Sequence, residues 1–140
     1  MISEYSISTD KSRLDIPLIQ QFLSQESYWA RNIPFDVVER SISNSLCFGV
    51  YQGTNQVGFA RVITDQATFA YLSDVFILSE HRGKGLSKQL VETILNWPTL
   101  QGLRRWVLAT QDAHALYEQF GFAALDKPEI FMQRKLIDQY

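Results

Sequence analysis

The chain has 140 residues and a mass of 16.1 kDa, which fits one compact domain over residues 1–140 with its own core. Thirteen basic against fifteen acidic residues give a net charge of -2 and exclude a generally basic nucleic-acid coat, and a single cysteine, Cys47, excludes an internal disulfide. No apolar run approaches the roughly 20 residues that cross a bilayer, and Met1-Ile2-Ser3-Glu4-Tyr5 lacks the basic start of a secretory signal, so the expectation is a soluble cytoplasmic protein without nucleic-acid or membrane partners.

Residues 2–8 alternate weakly and predict a first strand. Ile16, Ile19, Phe22 and Leu23 share one helical face and predict a helix over 16–23. The polar-aromatic connection 26–34 follows. Pro34 suits the first turn of a second helix, whose apolar stripe is Phe35, Val38 and Ile42. Strand patterning returns over 46–52, 57–63 and 68–78. The turn residues Gly53-Thr54-Asn55-Gln56 and Asp65-Gln66 join these runs into a predicted antiparallel meander. Leu86, Leu90, Ile94 and Trp97 then mark a helix stopped at Pro98. A short strand is predicted over 105–110. Asp112 is the expected N-cap of a helix carrying Ala113, Leu116, Tyr117 and Phe120, and Gly121 falls where that helix ends. Residues 130–136 predict a last strand. The order of elements gives an α/β (α+β) fold, with a mixed sheet and helices on its faces.

The sharpest local signal is strand Val75-Phe76-Ile77-Leu78 followed by Arg82-Gly83-Lys84-Gly85-Leu86-Ser87 at the start of an amphipathic helix. Two glycines allow a tight turn and close approach of backbone to a ligand. The free N–H groups of a helix start, with the helix dipole, bind anions, and Arg82 and Lys84 add positive charge. The pattern describes a pyrophosphate site, or else a basic, glycine-rich helix entry without a ligand. No Gly-x-x-x-x-Gly-Lys-Ser/Thr run is present, which excludes a P-loop NTPase. No Gly-x-Gly-x-x-Gly follows the first strand, which excludes a Rossmann dinucleotide site.

Two linked motifs resemble the GNAT superfamily of acyl-CoA-dependent N-acetyltransferases. The run Tyr71-Leu72-Ser73-Asp74-Val75-Phe76-Ile77-Leu78 with Arg82-x-x-Gly85-x-Ser87 resembles that family's fourth strand and its coenzyme A signature, with Ser87 where Gly or Ala is usual. Residues 110–122, ending Tyr117-x-x-x-Gly121-Phe122, resemble its fifth strand and following helix. The resemblance implies a mixed, mostly antiparallel central sheet with helices on both faces, whose fourth and fifth strands splay to admit the pantetheine arm of acetyl-CoA.

Carried onto this chain, the resemblance places Val75, Phe76 and Ile77 along that arm through their backbone groups. Gly83, Lys84, Gly85, Leu86 and Ser87 offer N–H groups to the pyrophosphate, and Arg82 holds the loop or a phosphate. Thr110 stands where the family often has an arm-binding Asn. Tyr117 is implied as the acid that protonates the leaving thiolate, a role open to a phenol that is protonated at neutral pH. Asp74 is the candidate to hold or deprotonate the amine, with a water chain as the alternative. Some polyamine-acetylating members carry a glutamate where Ser73 stands.

The acceptor pocket implied by the family draws on Tyr28, Trp29, Arg31, Arg61 and Tyr71. Tyr28 and Trp29 either wall the substrate or pack on the sheet, and Arg31 and Arg61 either bind a carboxylate or are solvated. No His/Cys/Asp cluster stands at metal spacing, so no metal site is expected. The implied activity is direct acetyl transfer from acetyl-CoA to an amine of a small molecule, peptide or protein, by a possible homodimer. The alternative is a non-catalytic acyl-CoA-binding sensor or partner module of the same fold.

Overall fold

A computed structural model describes residues 4–140. Five strands form one sheet in sequence order: β1 (Tyr5–Ser8), β2 (Leu46–Gln52), β3 (Asn55–Thr64), β4 (Phe69–Ile77) and β5 (Arg105–Leu108). The first three pairings are antiparallel and β4–β5 is parallel. The predicted meander is therefore present, and β5 reaches its parallel register through the crossover helix α3 (Leu86–Leu95). The helices before it are α1 (Ile16–Gln21) and α2 (Phe35–Ser43), and a short α4 (His114–Glu118) follows β5.

Strand alternation sorts the apolar residues onto two faces. Phe48, Val50, Val62 and Leu72 meet Leu86, Leu90 and Ile94 of α3 on one face, with Tyr117 joining from α4. Cys47, Phe59 and Phe76 meet Ile19 and Phe22, and Val38 and Ile42 of α2, on the other. Phe22 stacks on Phe76 with ring centroids 3.9 Å apart, which fixes the end of α1 over the C-terminal end of β4. The sheet thus carries helices on both faces.

Local chemistry explains the entries to these elements. Asp15 caps α1 by accepting from the Leu18 N–H at 3.1 Å, with Pro17 in the first turn where its missing N–H costs nothing. The helix expected over 16–23 widens after Gln21 into a π-type turn, Phe22–Glu26. Buried Ser27 then ties the connection down, donating to the Leu23 carbonyl at 2.6 Å and accepting from the Ala30 N–H at 3.0 Å. This turn aims Tyr28 and Trp29 at the open end of the sheet.

Two expectations are corrected, and a third lies partly outside the described residues. The first strand is described only from Tyr5, and residues 2 and 3 lie outside the described chain. Asp112 does not cap α4. Its N-cap position is Ala113, and the Thr110 hydroxyl accepts from the Ala113 N–H at 3.1 Å instead. Residues 130–136 form no strand: Ile130 ends a 3-10 turn, Pro128–Ile130, and the residues after it are exposed, because no described neighbour supplies the ladder that a strand needs.

Candidate active site

The cleft arises from a fault in β4. Phe59 faces Phe76, but Arg61 faces Ser73, so Asp74 and Val75 together oppose the single residue Ala60. This is a β-bulge, and Asp74 occupies the left-handed region with φ 55°. An aspartate tolerates that conformation better than most side chains. On the other edge of β4, pairing with β5 ends at Leu72–Leu108, and the strands part beyond it. Residues 73–77 therefore turn an unpaired edge into the gap.

A pocket of about 350 Å³ fills the mouth of the gap, lined by Tyr28, Trp29, Tyr71, Asp74, Thr110 and Tyr117 among others. The Asp74 carboxylate, 8% exposed, is held from two sides. Arg61 on β3 reaches it through Nε at 2.8 Å, and the Trp29 indole N–H donates to its other oxygen at 2.8 Å. Arg61 is itself fixed by donating to the Ser45 hydroxyl at 3.1 Å. It lies beneath Asp74 and is not among the pocket-lining residues. Arg31 does not line the pocket either. It donates to the Gln25 carbonyl at 2.6 Å. Tyr28 packs edge-on against Trp29 with centroids 5.0 Å apart, and its hydroxyl accepts from the Gln111 N–H at 2.8 Å. That bond clasps the α1–α2 connection to the loop after β5.

Tyr117 is placed by the way α4 ends. The Phe122 N–H bonds the Tyr117 carbonyl at 3.2 Å and the Gly121 N–H bonds the Glu118 carbonyl at 3.2 Å, with Gly121 at φ 89°. This is a Schellman ending, and its apolar contact is the Tyr117–Phe122 ring pair at 5.9 Å. The Tyr-x-x-x-Gly-Phe pattern is therefore a helix stop that seats the tyrosine between cleft and core. Burial, reinforced by Tyr28 and Asp112, pushes the Tyr117 hydroxyl up to about 12. Thr110 lines the same pocket. Its oxygen accepts from the start of α4, which leaves its hydroxyl proton to donate.

At the far end of β4 the loop turns on Gly83 and Gly85, with φ 77° and 78°. A Cβ added at either would meet nothing within 4 Å, so there is open space beside the backbone. Gly85 is the N-cap of α3 and brings no side-chain cap, which leaves the first N–H groups of the helix for an outside acceptor. Leu86 anchors the helix start in the core, while Gly83, Gly85 and Ser87 border a recess of about 150 Å³. Arg82 braces the turn by donating from Nε to the Ile77 carbonyl at 2.8 Å. Lys84 leans away to the Tyr5 hydroxyl at 3.0 Å, and that hydroxyl also bonds His81 Nδ1 at 2.9 Å.

The structure thus brings Tyr28, Trp29, Tyr71, Asp74, Val75, Thr110 and Tyr117 to one pocket, with the 82–87 loop at the other end of the same strand. Sequence reasoning missed Gln111, Asp112 and Ser45. Tyr28 and Gln111 stand 83 positions apart, and no local pattern announces such a pair.

A sheet opened by a bulge, with a glycine-turned, uncapped helix start at one end and a seated tyrosine at the other, makes a cleft suited to an extended ligand with an anionic end. The acetyltransferase (GNAT) family pattern matches residues 16–122, and the chain belongs to that family. It is 51% identical to a crystal structure from Xanthomonas campestris pv. campestris assigned as a GNAT acetyltransferase. The TM-score is 0.94, covering 97% of this chain and 96% of that one. A protein of Gibberella zeae named as an acetyltransferase is 35% identical over 137 residues, 81% of this chain and 76% of the relative. A structure from Clostridium acetobutylicum solved with acetyl-CoA shares the fold at 14% identity, with a TM-score of 0.67 over 94% of each chain. Among the described residues, no helix is long and apolar enough to cross a membrane.

Proposed function

We propose that this chain transfers an acetyl group from acetyl-CoA to a primary amine by direct attack. The observation that carries this is the open edge of β4 at residues 73–77. It runs from the pocket that holds Tyr117 to the glycine turn before α3.

Bound acetyl-CoA supplies a thioester whose carbonyl carbon the amine attacks, so that a C–N bond forms and the C–S bond breaks. The chain's residues hold and prepare that exchange. N–H groups of Gly83, Lys84, Gly85, Leu86 and Ser87 bind the pyrophosphate, with α3 adding its dipole. The backbone of Val75, Phe76 and Ile77 pairs with the pantetheine arm, and a β4 N–H near Phe76 or Ile77 donates to the developing oxyanion. Thr110 donates to the arm. Tyr117 gives its proton to the leaving sulfur, and its raised pKa keeps that proton in place across physiological pH.

On the acceptor side, the pocket presents the aromatic rings of Tyr28, Trp29 and Tyr71 and the carboxylates of Asp74 and Asp112, with no Lys, Arg or His among its lining residues. Such walls favour a cationic amine over a carboxylate or phosphate group. Both Asp74 oxygens already accept hydrogen bonds. We assign Asp74 to orienting the amine, whose proton leaves through water to solvent. Small-molecule and peptide amines both fit an opening of this kind.

Tyr117→Phe is the test, with thiol release measured on an accepted amine. Turnover should fall roughly 100-fold, the range usual for a lost general acid, while acetyl-CoA still raises the melting temperature. Wild-type turnover would remove Tyr117 from the mechanism. Acetyl-CoA binding without turnover on any amine in a broad panel would leave a binding module. The raised pKa also predicts a stability signature. Its contribution is full below the ordinary tyrosine value near 10 and is lost as pH rises toward 12. Wild type should therefore lose melting temperature more steeply than Tyr117→Phe across that window.

A further inference from the structure

Four side chains from distant parts of the sequence form one line of hydrogen bonds that ends in the pocket. The Ser45 hydroxyl donates to the Ser41 carbonyl at 2.7 Å, so α2 fixes it. It accepts in turn from Arg61 Nη1 at 3.1 Å. Arg61 Nε holds one Asp74 oxygen at 2.8 Å, and the other Asp74 oxygen holds the Trp29 indole N–H at 2.8 Å. Ser45 and Arg61 do not line the pocket, whereas Asp74 and Trp29 do. Trp29 is 40% exposed and sits on a bend outside any helix or strand, where an indole turns freely unless something holds it. With both oxygens engaged, what Asp74 delivers into the pocket is the indole. The Tyr28 ring stands against that indole at 83° with centroids 5.0 Å apart, and its hydroxyl is held by the Gln111 N–H. Two rings near a right angle, with both polar edges tied down, make a rigid aromatic corner, and the π faces of such a corner attract alkylammonium groups.

We propose that Trp29 is the residue that selects the acceptor, and that Ser45, Arg61 and Asp74 are positioning residues that act through it. The corner takes an alkylammonium group. Arg61 is committed to Asp74, and no Lys, Arg or His lines the pocket to pair with a carboxylate beside that nitrogen. The acceptor class is therefore an alkylamine without a carboxylate next to its amino group, and not a free α-amino acid. The arrangement gives Arg61 an effect opposite to the one its charge alone would have. On charge alone, removing Arg61 leaves the Asp74 carboxylate bare and draws an ammonium in more tightly. On positioning, its removal frees the indole and weakens the hold on the amine. That the amine is a reactant rests on the acetyl-transfer reading, while the binding of an amine in the corner does not.

The probe is n-butylamine with acetyl-CoA as donor, and the Trp29 indole N–H signal in a proton–nitrogen NMR spectrum is a second readout that needs no turnover. Trp29→Phe identifies that signal among the three tryptophans by its loss. Trp29→Leu should raise the KM for n-butylamine about tenfold and leave the KM for acetyl-CoA unchanged. Trp29→Phe keeps a ring without its tether and should raise the amine KM about threefold. Arg61→Ala should raise the amine KM and shift the Trp29 signal, and Arg61→Lys should restore both in part. Norvaline, which is n-butylamine with a carboxylate on the carbon that bears the nitrogen, should be used about 100-fold less well. A wild-type amine KM in Trp29→Leu or Trp29→Phe overturns the assignment whether or not Arg61→Ala folds. A lowered amine KM in Arg61→Ala also overturns it, because plain attraction by Asp74 then governs binding. Equal use of norvaline overturns the acceptor class. If no amine is acetylated, titration with n-butylammonium chloride separates the two ideas. Movement of the Trp29 signal that weakens in Arg61→Ala keeps the corner while acetyl transfer falls, and an unmoved signal overturns the corner.

Discussion

The two ends of the cleft are built by different means. The loop end is local: two glycines in the left-handed region, a helix start without a side-chain cap, and Arg82 bonded to a carbonyl only five positions back. The acceptor end is assembled at long range. Asp74 is fixed by Trp29 from 45 positions away and by Arg61 from the neighbouring strand, and Tyr28 reaches Gln111 across the gap. A local site survives on backbone conformation. A long-range one depends on each partner being present, because a buried charge that loses its counter-ion is costly.

Arg61→Ala puts the largest strain on that distinction. It leaves the Asp74 carboxylate, 8% exposed, without its cation. Removing one partner of a buried pair costs about 3–5 kcal/mol, so the urea midpoint should fall sharply. Adding Asp74→Asn removes the stranded charge, and asparagine keeps the left-handed bulge, so the double variant should regain part of the loss. No recovery would mean that Arg61 acts by packing.

Gly85→Glu tests the local end and should behave in the opposite way. A side chain at φ 78° carries some strain, about 1–2 kcal/mol, and the fold should persist. A carboxylate placed where phosphates bind costs several kcal/mol, so CoA affinity by calorimetry should drop about 100-fold or more. Unchanged affinity would place the phosphates elsewhere.

The smallest effect is expected at the clasp. Tyr28→Phe removes the acceptor for the Gln111 N–H while keeping the ring against Trp29. The loss should be about 1 kcal/mol, since solvent can reach the released N–H. A much larger loss would show that the clasp, and not the bulge, holds the cleft open.

The positions that were legible in sequence share a physical reason. Gly83, Gly85 and Gly121 mark backbone that other residues enter only with strain, and the Tyr117–Phe122 spacing is a helix ending written within six residues. The meander and α3 were legible from periodicity, because each buries one face. Thr110 illustrates the limit. Its place in the cleft followed the motif, but its capping of α4 in place of Asp112 depended on how the loop bends.

The sequence by itself determined the strands of the meander, where the chain turns, and the glycine loop before α3, since these follow from side-chain periodicity and from the conformations that glycine alone adopts cheaply. Only the tertiary structure decided that Arg61 pairs with Asp74, that Arg31 bonds the Gln25 carbonyl outside the pocket, and that residues 130–136 find no strand to join. Each of those outcomes turns on a neighbour far along the chain, and an ion pair, a bulge or a ladder exists only once folding has brought both sides together.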